Sequence, residues 1–346
     1  MDSKRFYELD ALRGIAALIV VLFHYSTKYN ELYGHSKTEY ITTFEWGHYG
    51  VQLFFIISGF VIYMTVLKVS SVKDFIFKRA IRLYPAYVFA VILTFVISSI
   101  YILERMKVSV FEAIVNLTML QGFIPNMPTV DGVYWSLRVE LTFYIIMAVL
   151  LMFKLERRTM LFSIVWLLTS CFIQIAYHLN DSHLFLLLES FSISKYSHLF
   201  IIGIMFFLLK EKNRLSCHLV ILSCIIYDFI FQGIESGLFT TCCVMIFYLI
   251  VSGKLKFLNN KPLVFLGSIS YALYLVHQNI GYVIINFMES IGLENEFFIV
   301  IPITISILLA WILTKFVEKP IQFWLGGMYK RRKDFLRTEK EKYKVL

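Results

Sequence analysis

Apolar residues run along this chain in blocks of about twenty, each closed by a short polar stretch. At 1.5 Å of rise per residue such a block crosses the hydrocarbon layer as a single α-helix. The blocks predict ten helices, over residues 10–28, 48–67, 83–103, 134–153, 159–178, 194–209, 215–231, 238–253, 263–285 and 297–317. The ten-residue alternating segments of a β-barrel do not occur. The expected fold is an all-α polytopic membrane protein, and an even number of spans puts both termini on one side.

Composition supports this reading. The chain is 58% hydrophobic and only 16% charged, against about 25% charged in ordinary soluble domains. With the N-terminus cytoplasmic, inner segments hold 26 Lys and Arg, and outer ones hold five: Lys28, Lys37, Arg105, Lys107 and Lys195. That split follows the positive-inside rule and makes both termini cytoplasmic. The net charge of +9 is then mostly topology, and no nucleic-acid partner is expected. The first span carries Asp10 and Arg13 with no small-residue cleavage site after it, so it does not read as a signal peptide. All five cysteines fall in spans without a CxxC pair and read as small apolar packers.

Residues 1–319 are expected to form the membrane domain, and 320–346, with "KRRK" at 330–333, a basic cytoplasmic tail on anionic membrane lipid. The long exterior connection 104–133 contains "VFEAIVNLTMLQGF", which suits an amphipathic helix along the interface. Its "NLT" at 116–118 is formally a glycosylation sequon.

Polar residues inside the spans locate candidate chemistry, because such groups are costly in lipid. Arg13 and His24 are eleven residues apart in the first span, which puts them within about 20° on one helix face and roughly 16 Å apart along the axis. An anionic head on a long thin arm, such as acyl-coenzyme A, would touch both. The bland alternatives are a core histidine and an arginine paired with Asp10. Arg79 and Arg82 share a face at the mouth of the third span, either as phosphate-binding forks or as ordinary positive-inside residues. Glu140 lies roughly 9 Å into the fourth span, with Tyr144 one turn deeper. In the ninth span Ser270, Tyr274 and His277 line one face at i, i+4 and i+7. His24, Glu140 and His277 are thus expected at similar depth.

Five stretches, in order, resemble the acyltransferase-3 family of membrane O-acyltransferases: "LDALRGIAALIVVLFHY", "GVQLFFIISGF", "RAIRLYPAY", "WSLRVELTFY" and "GSISYALYLVH". The resemblance spans Tyr7 to about Pro320. It implies a ten-helix bundle that takes an acyl group, usually acetyl, from cytoplasmic acetyl-CoA. The acceptor is commonly a sugar hydroxyl of an envelope glycan or lipid-linked sugar outside the inner (plasma) membrane. Arg13 and His24 match the family's essential arginine and histidine, and Arg79 and Arg82 its RxxR motif. Donor binding is therefore assigned to Arg13, Arg79 and Arg82, and catalysis to His24 as general base, Glu140 as its orienting carboxylate, and His277 or Tyr274 as oxyanion donors. Direct transfer and an acyl-histidine intermediate both stay open, and no metal is expected. Gln52, Arg138 and Asn279 depart from the family pattern, which commonly has an acid, a small residue and a proline at these positions. The rival readings are succinyl or other acyl transfer to a non-glycan acceptor, a transporter or flippase, and a sensor or scaffold whose polar residues only hold helices together.

Overall fold

A computed structural model describes residues 6–34, 43–101, 106–179 and 183–345. Lys4, Arg5, Lys37 and Arg105, which entered the charge count, lie outside them. The described chain is helical, with no strand. Its helices are α1 (Tyr7–Phe23), α2 (Tyr29–Tyr33), α3 (Gly50–Val66), α4 (Val72–Ile100), α5 (Val110–Leu117), α6 (Trp135–Met152), α7 (Thr159–Leu179), α8 (His183–Ser192), α9 (Ser194–Glu211), α10 (Leu215–Phe231), α11 (Ile234–Val251), α12 (Lys261–Ser290), α13 (Val300–Leu313) and α14 (Lys319–Val345). Among the described residues, nine helical stretches are long and apolar enough to cross a membrane, and α10 is a shorter apolar helix of 17 residues. Each expected span falls on one of these ten. All-helical spans follow from lipid chemistry, since every backbone N–H and C=O must be satisfied within its own segment.

Three boundaries differ from the pattern-based ones. α4 starts at Val72 rather than residue 83, because Ser71 caps it by accepting a hydrogen bond from the Asp74 amide. Arg79 and Arg82 therefore lie inside the helix, not at its mouth. α1 continues into α2 through a π-helical turn at His24–Lys28. α13 continues into α14 through a second π turn at Thr314–Glu318, so the basic tail extends a membrane helix. Tail residues pack on α4: Tyr329 stacks on Phe77 at 3.9 Å, and Lys333 lies 3.6 Å from Asp74.

α5 forms where the amphipathic pattern predicts, fixed by a Ser109/Glu112 capping box. The sequon residue Asn116 is fully buried, donating to the carbonyls of Glu112 and Pro128, so it offers no glycan site in this fold. Cys217, Cys224 and Cys243 are buried and unpaired.

α3, α9 and α12 are the most enclosed spans, and the others ring them. Small residues allow the central crossings. A Cβ on Gly203 would lie 2.0 Å from the Ile56 carbonyl oxygen, where α9 crosses α3. A Cβ on Gly267 would lie 1.9 Å from the Asp10 carbonyl oxygen, and one on Gly14 would lie 2.6 Å from the Gly267 amide nitrogen. Without a hydrophobic force between helices in lipid, such close backbone approach is what holds them together. Gly267→Ala should therefore lower the thermal midpoint in detergent by the equivalent of about 1–3 kcal/mol, the usual cost of overpacking. Gly326, around which a Cβ meets nothing within 4 Å, is the control: Gly326→Ala should leave the midpoint unchanged or raise it. Equal midpoints for the two variants would show that the crossing is not tight.

Candidate active site

A cavity of about 180 Å³ lies among α1, α3, α4, α6 and α12. It gathers Arg13, Arg79, Arg82, Glu140 and Tyr274, all named from sequence, together with Ser270. At Arg13 and Arg82 it meets a wider cavity of about 530 Å³ bordered by Asp10, Lys261, Glu318 and Lys319. Lys261 and Lys319 are exposed, so the two cavities lead inward from that end of the bundle.

The guanidinium groups are held in different ways. Arg82 is ion-paired with Glu318, a carboxylate only 2% exposed, and lies 5.6 Å over the Tyr271 ring. Gln322 steadies the pair by donating to Glu318 Oε1 at 3.0 Å. Arg79 lies 6.0 Å over the Tyr144 ring, and its Nε is buried without a hydrogen-bond partner. An open buried donor costs about 1–3 kcal/mol, and more when charged. An anion drawn between the arginines would satisfy it, and guanidinium forks suit phosphate oxygens. Glu140 accepts a hydrogen bond from Tyr144, one turn on, and so stands with the cations rather than beside an imidazole.

The two histidines meet each other. α1 and α12 run parallel, and ten residues beyond each glycine of their crossing His24 faces His277, with ring centroids 4.9 Å apart and His277 Nε2 3.2 Å from His24 Nδ1. Their neighbours fix the tautomers. His277 Nδ1 faces the carbonyl oxygens of Leu273 at 3.1 Å and Tyr274 at 2.9 Å, so it carries the proton and Nε2 is bare. His24 Nδ1 faces the Val20 carbonyl at 2.8 Å and that bare Nε2, both acceptors, so it too is protonated. The lone pair of His24 is left on Nε2, as a general base requires. With its own Nε2 bare, His277 has no proton there to give an oxyanion, and its geometry is that of a residue positioning His24. Neither histidine lines the cavity. Tyr274 closes its inner end, with its ring 5.8 Å from that of His277. The Tyr274 hydroxyl is shared with Ser136 at 2.7 Å and lies 3.1 Å from the Val133 carbonyl oxygen.

Sequence reasoning missed several supporting residues. Glu318 could have been found, being a lone acid beside an apolar run. Tyr25, which donates to the His277 carbonyl oxygen at 2.7 Å and bonds Ser306 on α13 at the same distance, gave no signal. Asp131 is buried and accepts from the backbone N–H of Asn279 at 3.1 Å, and Asn279 Nδ2 donates to the Val130 carbonyl oxygen at 2.8 Å. A proline at 279 would supply neither donor, which accounts for the asparagine. Among the described residues, no cluster of three or more His, Cys, Asp or Glu is placed to hold a metal.

The model of the family described as "Acyltransferase domain" matches residues 6–315. The chain belongs to the acyltransferase-3 family. "Putative acetyltransferase ORF330" of Acidianus two-tailed virus is 25% identical to it over 77% of this chain and 80% of its own length. "Putative O-acetyltransferase SACOL0978" of Staphylococcus aureus is 25% identical over 91% of this chain, which spans 57% of the staphylococcal protein. The "O-acetyl transferase" of Shigella phage Sf6 is 32% identical over 40% of this chain and 44% of its own. No solved structure gives a significant match. This acyltransferase is thus a multi-pass membrane member of the family.

The tautomer assignment is testable. In ¹⁵N-histidine-labelled protein in lipid, with His24→Gln used to identify the signal, His24 should show a protonated Nδ1 and an unprotonated Nε2. An Nε2–H signal would remove the lone pair from that nitrogen and refute the assignment.

Proposed function

We propose that this acyltransferase takes an acetyl group from cytoplasmic acetyl-CoA and passes it to a hydroxyl of an envelope glycan on the far side of the inner membrane. One observation carries the reading: three guanidinium groups, from Arg13, Arg79 and Arg82, converge on a passage whose inner end abuts the His24–His277 pair. The names of the relatives support O-acetyl transfer. The charge split along the chain supports cytoplasmic termini, with the passage opening to the cytoplasm and the basic residues of α14 on anionic inner-leaflet lipid.

In this scheme the coenzyme phosphates dock on Arg79 and Arg82 with help from Arg13, and the pantetheine arm brings the thioester to Tyr274. His24 Nε2 takes the proton of the acceptor hydroxyl as its oxygen attacks the thioester carbonyl. The new C–O bond forms, the C–S bond breaks, and the coenzyme thiolate leaves with the proton passed back from His24. His277 holds the imidazole of His24 through Nδ1. The Tyr274 hydroxyl, turned from the Val133 carbonyl, can donate to the oxyanion. Glu140 and Glu318 hold the arginines in place before the anion arrives.

Purified protein with labelled acetyl-CoA tests this, together with mass spectrometry of base-labile acyl groups on envelope glycans of complemented cells. His24→Ala should lower transfer at least about 100-fold, the usual scale of lost general-base catalysis, with acetyl-CoA binding retained. Arg79→Ala or Arg82→Ala should weaken acetyl-CoA binding about 10- to 100-fold, as expected for one lost charge-assisted hydrogen bond of about 1.5–3 kcal/mol. Near wild-type turnover by His24→Ala would refute the scheme.

A further inference from the structure

At the opposite end of the bundle from the arginines lies a separate cavity of about 280 Å³, close to the lower end of small-ligand sites. It is formed where α3, α6, α9 and α11 begin, which is also the end toward which α1 carries His24. Its walls are aromatic: Trp135 and Tyr196 lie 5.6 Å apart, with Phe55 5.3 Å from Tyr196. Its polar groups belong to a buried chain. Gln52 donates to Ser236 at 2.8 Å, Ser236 donates to Asp228 at 2.8 Å, and Asp228 lies 3.4 Å from His198. Asp228 Oδ1 accepts from Ser236, while Oδ2 is buried without a hydrogen-bond partner. His198, 1% exposed and lining the cavity, has no hydrogen-bond partner at either ring nitrogen, Nδ1 or Nε2. An unsatisfied imidazole nitrogen at such depth is costly and marks a position a ligand would complete.

Two contacts tie this cavity to the transfer site. Val51 and Phe55 line both it and the arginine cavity, so one layer of side chains separates them. Phe23 lies 5.1 Å from His24 and 5.6 Å from His48, which also borders the cavity.

We infer that this cavity binds the acceptor as a single pyranose ring, whose C–H face packs on Trp135 and Tyr196 and whose hydroxyls bond His198 Nδ1 and Gln52. The sugar's two-sided chemistry, an apolar face with a rim of hydroxyls, matches aromatic walls joined to amide and imidazole groups. The assignment rests on the proposed transfer at His24, since it is that step which needs an acceptor on this side. A second groove beside α1, bordered by Leu22, Ser26, Phe44 and Phe297, is mainly apolar and would suit a lipid acceptor instead.

Saturation-transfer NMR on the full chain in nanodiscs separates these cases, with methyl glucopyranoside, galactopyranoside and rhamnopyranoside as probes beside 1,2-octanediol. A methyl pyranoside should bind wild type and His24→Ala alike, and at least ten-fold more weakly to Trp135→Ala and His198→Asn. Trp135 is 40% exposed, so its variant reports on the cavity even where the buried His198 variant fails to fold. Binding by no pyranoside, binding by the diol alone, or pyranoside binding unchanged in Trp135→Ala would overturn the inference. If the pyranoside binds as expected while Arg79→Ala and Arg82→Ala keep full acetyl-CoA affinity, the cavity stands and the donor-side reading falls.

Discussion

The contact of α1 with α12 is the constraint from which the site follows. At Gly14 and Gly267 the two backbones touch, with no room for a methyl group. Because the helices are parallel and both histidines lie ten residues further on, that crossing sets the register of His24 against His277. A 3.2 Å contact between ring nitrogens tolerates only a few tenths of an ångström before it ceases to be a hydrogen bond. Two further features hold it. Tyr25, packed where Gly281 has no side chain, joins α1 to the His277 carbonyl and to Ser306 of α13. The π turn that begins at His24 changes the helical phase at the residue whose direction matters, a use typical of π segments at functional sites.

The arginines raise the opposite problem, since three partly buried cations repel one another and lose hydration. Glu318 and Glu140 offset part of this, one by pairing with Arg82 and the other from within the same cavity. Asp10 faces the same cations from the wider cavity, and the open Nε of Arg79 shows where the set still lacks a partner. A site finished in this way stays intact when empty and gains most from an anionic ligand. Glu318, like His24, belongs to a π turn, so both such turns in the described chain present residues of the site.

The helices were legible because lipid forces each span to satisfy its own backbone, which makes length and hydropathy sufficient. Most residues of the arginine cavity were legible too, since polar side chains in apolar runs are rare. Azimuth and exact depth were not. Glu140 was expected level with His24, but α4 begins eleven residues earlier than its apolar run, which carries Arg79 and Arg82 into the bundle to meet Glu140. The early start had a local signal, Ser71 with Asp74 three residues on, which hydropathy ignores. The His24–His277 contact had one as well, in the equal spacing from Gly14 and Gly267, but spacing takes on meaning only once the two helices are known to be neighbours and parallel. Glu318, His198 and Asp228 were readable as lone ionisable residues in apolar surroundings, and their partners, far away in sequence, were not.

The three positions expected from sequence to differ from the family pattern, 52, 138 and 279, have a common physical character. Asn279 supplies a backbone N–H to Asp131 and a side-chain donor to Val130, pinning the loop before α6 onto the middle of α12. Gln52 supplies a donor to the Ser236–Asp228 chain, where an acid would set a second negative charge against Asp228. Arg138 turns from the cavity toward the Ser190 carbonyl oxygen, 3.4 Å away on α8. Each residue donates to a partner on another segment, in polar groupings that still leave Asn279 Oδ1 and Asp228 Oδ2 open. Loss of one of these side chains therefore leaves its partner short of a donor. None of the three lines the arginine cavity or bonds the histidine pair, so these contacts are separate from the arginine–histidine axis.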